Sequence, residues 1–426
     1  MFKKLLAVLL LLSVPLLGVD RNNELPQIAK EQLYRKGIEY LSSGNYIGAL
    51  ELFRFLGNYK NSTELYTEAV KFFEPIPVEV FKEGEPNIRV LLGYFSDFEL
   101  VCPRRVEKVF FRVPVGGIFR KITYRGKSYK KLTLKGEKGC RILLNGVSLG
   151  KLPLGVKIDL VEYRGGAIAV LNLPLEFYLK GVLPSEVYTS WPIEALKAQA
   201  VASRTFALFN IYRARKAGKP FDVGSTTAYQ VFRIPQRLLP QVARAVERTR
   251  GEAVVYKGSL IYAMFHSNSG GCTHSFGEIT GLNLPYLSEV KEVCDIKALK
   301  WSHWTKRLKK RPVRKILSHL GIHLNPADMG IKRNPCGRGL FITILPEDGR
   351  KITLPLAVFF RLEAKIPSDW FYVIGKSESD FLLAGRGFGH GLGMSQWGAF
   401  CLSQRGWDYK RILRFYYRGT RIERIY

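Results

Sequence analysis

Apolar positions change period several times along the chain, and each change marks a segment. Residues 1–18 begin with Lys3 and Lys4 and continue as a nearly continuous apolar run from Leu5 to Leu17, broken by Ser13 and Pro15. That run is shorter than the roughly 20 residues a membrane-spanning helix requires, so it reads as an export signal with Gly18 at its end; the alternative is an uncleaved N-terminal anchor. Residues 25–75 follow a helical period: Leu33, Tyr40 and Leu41 form one stripe, and Ala49, Leu52, Phe53 and Leu56 a second, with Ser43-Gly44-Asn45 as the turn between them. Pro75, Pro77 and the turn at Glu83–Pro86 close that segment. From 88 to 172 the period shortens to alternation. In Val109–Val113 the apolar residues Val109, Phe111 and Val113 fall on one face, and Lys108 and Arg112 on the other. Residues 173–215 return to a helical period, and mixed short strands and loops follow beyond 222. A basic run at 306–311 has the composition of a solvated face, and a final helix is predicted around Tyr409–Tyr417. The order predicts an α+β fold rather than a regular βαβ alternation.

The segment Gly44–Phe53 is similar to the second half of a tetratricopeptide repeat. One repeat cannot bury its own apolar face, so the hairpin must dock either on its own chain or on a partner. At 426 residues, with 46% apolar and 24% charged positions, the chain is globular and large enough for two or three domains. Its net charge of +30 calls for a polyanionic neighbour. Export makes nucleic acid a poor candidate and leaves membrane surface and anionic wall polymer. It also opens disulfide chemistry to the six cysteines, for which 15 full pairings exist. A Cys272–Cys294 bridge closing a loop is the leading reading of the central pair. A metal cluster of His266, Cys272, His274 and Cys294 is the weaker one, since no CxxC occurs.

Three places carry candidate chemistry. In the helix after Ser190 (N-cap), Pro192 and Glu194, the stripe Ile193, Leu196, Ala200, Ala207 and Ile211 has Arg204 at its centre. A charge on a core-facing stripe needs a substrate or an ion-pair partner, for which Glu176 is at hand. Glu186 lies between two helical segments in Leu183-Pro184-Ser185-Glu186-Val187, where desolvation would let a carboxyl keep the proton that a general acid needs. The glycine-alternating stretch Gly385–Gly398 lets main-chain amides approach a ligand or another strand, but it has neither the dinucleotide nor the P-loop spacing. His390 and Ser395 within it suggest a nucleophile pair with no acidic third member.

Taken in order, these motifs resemble the SpoIID/LytB family. The resemblance rests on Leu173–Glu186, Trp191–Thr205, Thr226–Phe232, Phe265–Gly271, Pro285–Leu287 and the glycine block with Met394-Ser395-Gln396. It covers 88–420, with a β-rich part at 88–172 and a catalytic part at 173–420, and leaves the helical hairpin outside. The resemblance implies an exported lytic transglycosylase acting on peptidoglycan glycan strands in the periplasm or cell envelope. Glu186 would be the catalytic acid, Arg204, the arginine of the following helix, would bind the substrate through its lactyl carboxylate or orient Glu186, and Gln230, Ser267, Ser269 and Tyr286 would line the substrate groove. No cofactor is implied. Some relatives hold zinc through His and Cys just before the Gln-Val-aromatic motif; here residues 222–229 contain neither, so no metal is expected. The alternative function is a non-catalytic wall binder that enhances an N-acetylmuramoyl-L-alanine amidase, with the amidase or another wall protein docked on the hairpin.

Overall fold

The computed structural model describes residues 25–114, 117–152, 155–293 and 300–426; the apolar N-terminal run and Cys294 lie outside them. Among the described residues no helix is long and apolar enough to cross a membrane. The main helices are α1 (Gln27–Ser43), α2 (Tyr46–Leu56), α3 (Ser62–Val70), α4 (Leu175–Glu186), α5 (Ile193–Lys216), α6 (Pro240–Arg248), α7 (Lys310–His319), α8 (Gln396–Gln404) and α9 (Tyr409–Tyr416). With strands gathered into several separate sheets, the fold is α+β. It divides into two compact units, whose described residues fall within 25–74, 264–406 and 411–419 for the first and 75–263, 407–410 and 420–426 for the second. The hairpin therefore belongs to the first unit and does not stand apart as a module.

In the first unit, Gly44 ends α1 in the left-handed conformation (φ 87°), and its amide and that of Asn45 return to the last carbonyls of the helix. Asn45 then caps α2 by accepting the Gly48 amide at 3.1 Å. The predicted stripes are buried: Leu33, Tyr40, Ala49, Leu52 and Phe53 share one core with Ile342, Leu354, Leu356 and Phe360, and Leu41 and Leu56 pack at its edge. The apolar face of the hairpin is occupied by its own chain, which removes that face as the docking platform for an amidase. Glu51 of α2 secures the junction, accepting the amides of Val358 (3.0 Å) and Phe359 (2.8 Å) at the start of a wide helical turn. Two three-stranded sheets complete this core, ordered Trp304–Lys309, Asp380–Gly385, Phe371–Lys376 and Pro326–Arg333, Gly339–Pro346, Ile352–Pro355. The basic run thus splits between a strand and the start of α7, with Arg307, Lys309 and Arg311 exposed as expected. Cys272 is bonded to Cys336, which overturns the expected Cys272–Cys294 bridge: the partner comes from a hairpin 64 residues on, brought close by the sheet rather than by a local loop.

The second unit is built on three sheets. A six-stranded antiparallel sheet centres on Arg105–Arg112 and Asp97–Cys102 and is stapled by Cys102–Cys140. In its strand Val109 is buried and Phe111 half-buried, as predicted, but Val113 lies past the strand end and is exposed. A five-stranded sheet carries Gly166–Pro174 at its centre, and that strand runs directly into α4. Helix α5 follows, starting at Ile193 with Pro192 rather than Ser190 in the cap position and with no side-chain cap bond. It is buried without a break from Ala198 to Ile211, so it is a central helix enclosed on all sides and not the one-sided helix that its apolar stripe predicts.

Burial pushes the Glu51 carboxyl up to about 7, against the two amides it accepts. A folded value above the unfolded value of 4.5 means that the native state binds the extra proton, so this contribution to stability is full below about 4.5 and is lost as pH rises to about 7. Over that window the wild type is expected to lose up to about 3 kcal/mol relative to Glu51→Gln, read from urea unfolding of both proteins between pH 4.5 and 7.5.

Candidate functional site

In the second unit the site begins with a buried ion pair. Arg204, fully buried on α5, donates from Nε and Nη2 to the two oxygens of Glu176 on α4, each at 2.7 Å. The remaining guanidinium donors reach the carbonyls of Glu252 (3.1 Å) and Val246 (3.3 Å) and the Thr249 hydroxyl. Tyr426 donates to the same carboxylate at 2.5 Å. Burial works against the arginine's charge, but Glu176 outweighs it and holds the Arg204 pKa above its ordinary value. This corrects the assignment of Arg204 to the substrate: it has no exposed surface, and with Glu176 it ties α5 to α4 and to Tyr426.

Helix α4 carries Glu186 at its last turn, where Pro184 lacks an amide to continue the ladder and Val187 turns extended. Glu186 is therefore a helix-terminal residue, half-buried rather than enclosed in an apolar loop. The Val231 amide donates to Glu186 Oε1 at 2.6 Å. Val231 follows Gln230, and the structure gives Gln230 a different place from the groove lining expected of it. It is fully buried, with Nε2 donating to the Ser203 carbonyl (3.2 Å) and Oε1 accepting the Tyr178 hydroxyl (3.3 Å). Tyr178 is one ring of a stack with Phe232, and burial together with the Glu186 charge raises its pKa. Gln230 is thus a positioning residue: α4 and α5 hold its amide, and the next residue's N–H holds the acid. Gly181 permits this, since a methyl group there would collide with the Arg233 carbonyl and the Phe232 ring.

Beside Glu186 opens a cleft of about 410 Å³, walled by Lys180, Ser185, Val231, Arg233, Gln236 and Arg237 among others, with no carboxylate in its lining. Lys180 is paired with Glu247 at 2.7 Å. The sequence singled out none of the cationic members. Their only signal is basic residues flanking the Gln-Val-Phe motif, and a main-chain donor such as Val231 leaves no signal at all.

Ser267, Ser269 and Tyr286 belong to the first unit. There the strand Phe265–His266 pairs in parallel with Met394–Ser395, joining two motifs far apart in sequence. Ser267 is half-buried, and its carbonyl accepts the Trp397 amide. Ser269 is fully buried, its hydroxyl accepting the Gly271 amide at 2.9 Å, and Tyr286 is buried in a short turn. Burial of Ser269 and Tyr286 argues against their lining a groove within this unit. Ser395 accepts the Gly398 amide as the N-cap of α8 and is fully buried, which removes it as a nucleophile. Burial lowers the His390 pKa to about 3, with Arg361 and Arg338 adding to the effect, so its imidazole is neutral. His274 pairs with Asp369, which binds Arg338 at 2.9 Å in a fully buried chain. Gly391 (φ 74°) lies where any side chain would strike that guanidinium. Since Cys272 is in a disulfide and His274 is held by Asp369, two members of the alternative metal cluster are engaged elsewhere.

The comparisons with known proteins agree on one family. The model of the stage II sporulation protein family, SpoIID, matches residues 163–256, the stretch that carries Glu176, Glu186, Arg204 and Gln230. An uncharacterized protein of Brachyspira hyodysenteriae is 37% identical over 283 residues, covering 65% of this chain and 74% of the relative. The amidase enhancer of Bacillus subtilis is 31% identical over 57% of this chain and 40% of its own length. Stage II sporulation protein D of the same organism is 29% identical over 62% of this chain and 79% of its own. The chain belongs to the SpoIID/LytB family.

Breaking one half of a buried pair leaves the other charge uncompensated. Arg204→Met is therefore expected to destabilise the protein by about 3–5 kcal/mol in urea unfolding, whereas Arg204→Met combined with Glu176→Leu recovers most of that loss.

Proposed function

We propose that this protein is an exported peptidoglycan lytic transglycosylase that cleaves the bond between N-acetylmuramic acid and N-acetylglucosamine, with Glu186 as its acid and base. The observation that carries the reading is one half-buried carboxyl, held by the main-chain amide of Val231, next to a cleft that Val231 and Ser185 wall and whose lining contributes no carboxylate of its own. An ordinary glycosidase needs two carboxyl groups, one for the leaving group and one for water or the sugar. A transglycosylase needs one. The Glu186 carboxyl protonates the glycosidic oxygen as the bond to the anomeric carbon breaks. The primary hydroxyl of the same muramyl residue closes on that carbon, and its proton returns to the Glu186 carboxylate. The product is an anhydromuramyl end and a free sugar hydroxyl, with no water consumed. Arg204 and Gln230 support the acid from fully buried positions that do not touch the sugar, and Val231, in the cleft wall, holds it through its main-chain amide.

The relationship to stage II sporulation protein D and to an amidase enhancer supports a cell-wall setting, and the basic charge suits a wall polymer bearing carboxylates. The similarity to the amidase enhancer also favours a second reading, in which the protein binds the wall and stimulates an amidase without cutting glycan. The product distinguishes the two. Incubation of the protein with glycan strands stripped of stem peptides is expected to yield anhydromuramyl ends by mass spectrometry, and Glu186→Gln to lower their yield by at least about 100-fold. Absence of such ends with the wild type would exclude the enzyme; their persistence in Glu186→Gln would move the acid elsewhere.

A further inference from the structure

We infer that Arg233 and Arg237 form a carboxylate-recognising subsite next to Glu186, and that its ligand is the free lactyl carboxylate of a muramyl residue. Both side chains are exposed, and both wall the 410 Å³ cleft. Some arginines of the same unit are neutralised by acidic partners: Arg89 meets Asp222, Arg204 meets Glu176 and Arg250 meets Glu85. Among the described residues Arg233 and Arg237 have none. Lys180, the remaining cation of the lining, is neutralised by Glu247, whose carboxyl it holds below the ordinary range. The unbalanced charge of the cleft is therefore that of the two arginines.

The backbone that carries them is fixed at several points. The Phe232 amide donates to the Ser225 carbonyl at 3.1 Å, and Phe232 stacks on Tyr178. Gln236 accepts the Lys151 amide at 3.0 Å and donates to the Ile234 carbonyl at 2.9 Å. Two guanidinium groups on a braced segment, facing a cleft of sugar-binding size, suit planar recognition of a carboxylate. Two sources of that chemistry exist on wall glycan: the lactyl group of a stripped strand and the carboxylates of an intact stem peptide. Val231, which holds Glu186, and Ser185, which precedes it, wall the same cleft. A subsite this close to the acid reaches substituents of the ring being cut before the distal groups of a peptide. Attachment of a peptide turns the lactyl carboxylate into an uncharged amide, so the subsite selects stripped strands.

This inference rests on the transglycosylase reading only for the identity of the bond cleaved, and binding without turnover tests it separately. In a Glu186→Gln background, affinities are measured by fluorescence anisotropy for three labelled ligands: stripped strands, peptide-bearing strands, and stripped strands whose lactyl carboxylates have been converted to amides. R233Q/R237Q is expected to weaken binding of stripped strands roughly tenfold and to leave the amide-converted strands unchanged, as for loss of a charge-assisted hydrogen bond. K309Q/R311Q, which removes the same charge from the exposed basic run, is expected to affect all three ligands alike and less. R233K/R237K should recover part of the affinity. Equal losses on all three ligands with R233Q/R237Q, or losses matching those of K309Q/R311Q, would reduce the effect to bulk charge and overturn the subsite. A loss confined to peptide-bearing strands would assign it to peptide carboxylates instead. If the expected pattern appears in a protein that forms no anhydromuramyl ends, the subsite stands and the transglycosylase reading falls.

Discussion

The second unit depends on one fully desolvated ion pair. Arg204 and Glu176 join the central helix α5 to the first turn of α4, and the pair also takes the hydroxyl of Tyr426 and carbonyls from the end of α6 and the strand beyond it. A pair of this kind adds little net stability over apolar replacements, because both charges lose their water. What it supplies is registry: the bidentate geometry permits one rotation and one depth of α4 against α5. Three turns along α4 from Glu176, that rotation sets where Glu186 emerges. The arginine thus acts on the carboxyl at a distance, through a rigid helix.

A second brace works from the other side. Gln230 is buried between Tyr178 of α4 and Ser203 of α5, one residue before Arg204. Both helices therefore contribute to holding Val231, and Val231 holds Glu186. The acid is consequently fixed relative to the same two helices by two routes, one through its own helix and one through the loop. This redundancy suits the role proposed for Glu186, in which it gives up a proton and takes it back without moving. Half-exposure of Glu186 suits the same role, since the glycosidic oxygen must reach it.

Much of this was legible in the sequence, and the gaps have physical causes. The turn Ser43-Gly44-Asn45 and the helical stretches of α4, α5 and α9 were readable because turn residues and period act locally, although the cap expected at Ser190 is not the one α5 uses. The buried charge of Arg204 was visible as a charge on an apolar stripe, and Glu176 as its partner, since the two lie on helices that follow one another in the chain. The stripe itself misled about α5, because a helix enclosed on all sides by Ala, Ser and Thr as well as Leu and Phe shows a weak amphipathic signal. Gln230, Ser269 and Tyr286 lie within family motifs, and a motif marks a need for the residue without saying whether it faces the ligand or the core. The Cys272–Cys336 bridge depends on a sheet that brings together residues 64 apart, which spacing cannot reveal. Arg233 and Arg237 were hidden by the chain's own composition: among 66 basic residues, two more carry no information until a cleft singles them out.

That last point changes the meaning of the net charge. The two fully buried arginines among the described residues are matched, Arg204 by Glu176 and Arg338 by Asp369. The surplus of +30 must therefore lie mostly at the surface, where salt screens it within about 10 Å and a long polyanion feels only its average. A diffuse field of this sort raises the encounter rate with anionic wall polymer of any composition. It cannot distinguish a lactyl carboxylate from a peptide one, because both carry the same charge at similar density. Discrimination needs cations fixed on a braced backbone within reach of the scissile bond, and of the surplus charges these two arginines are the ones the cleft beside Glu186 presents in that way.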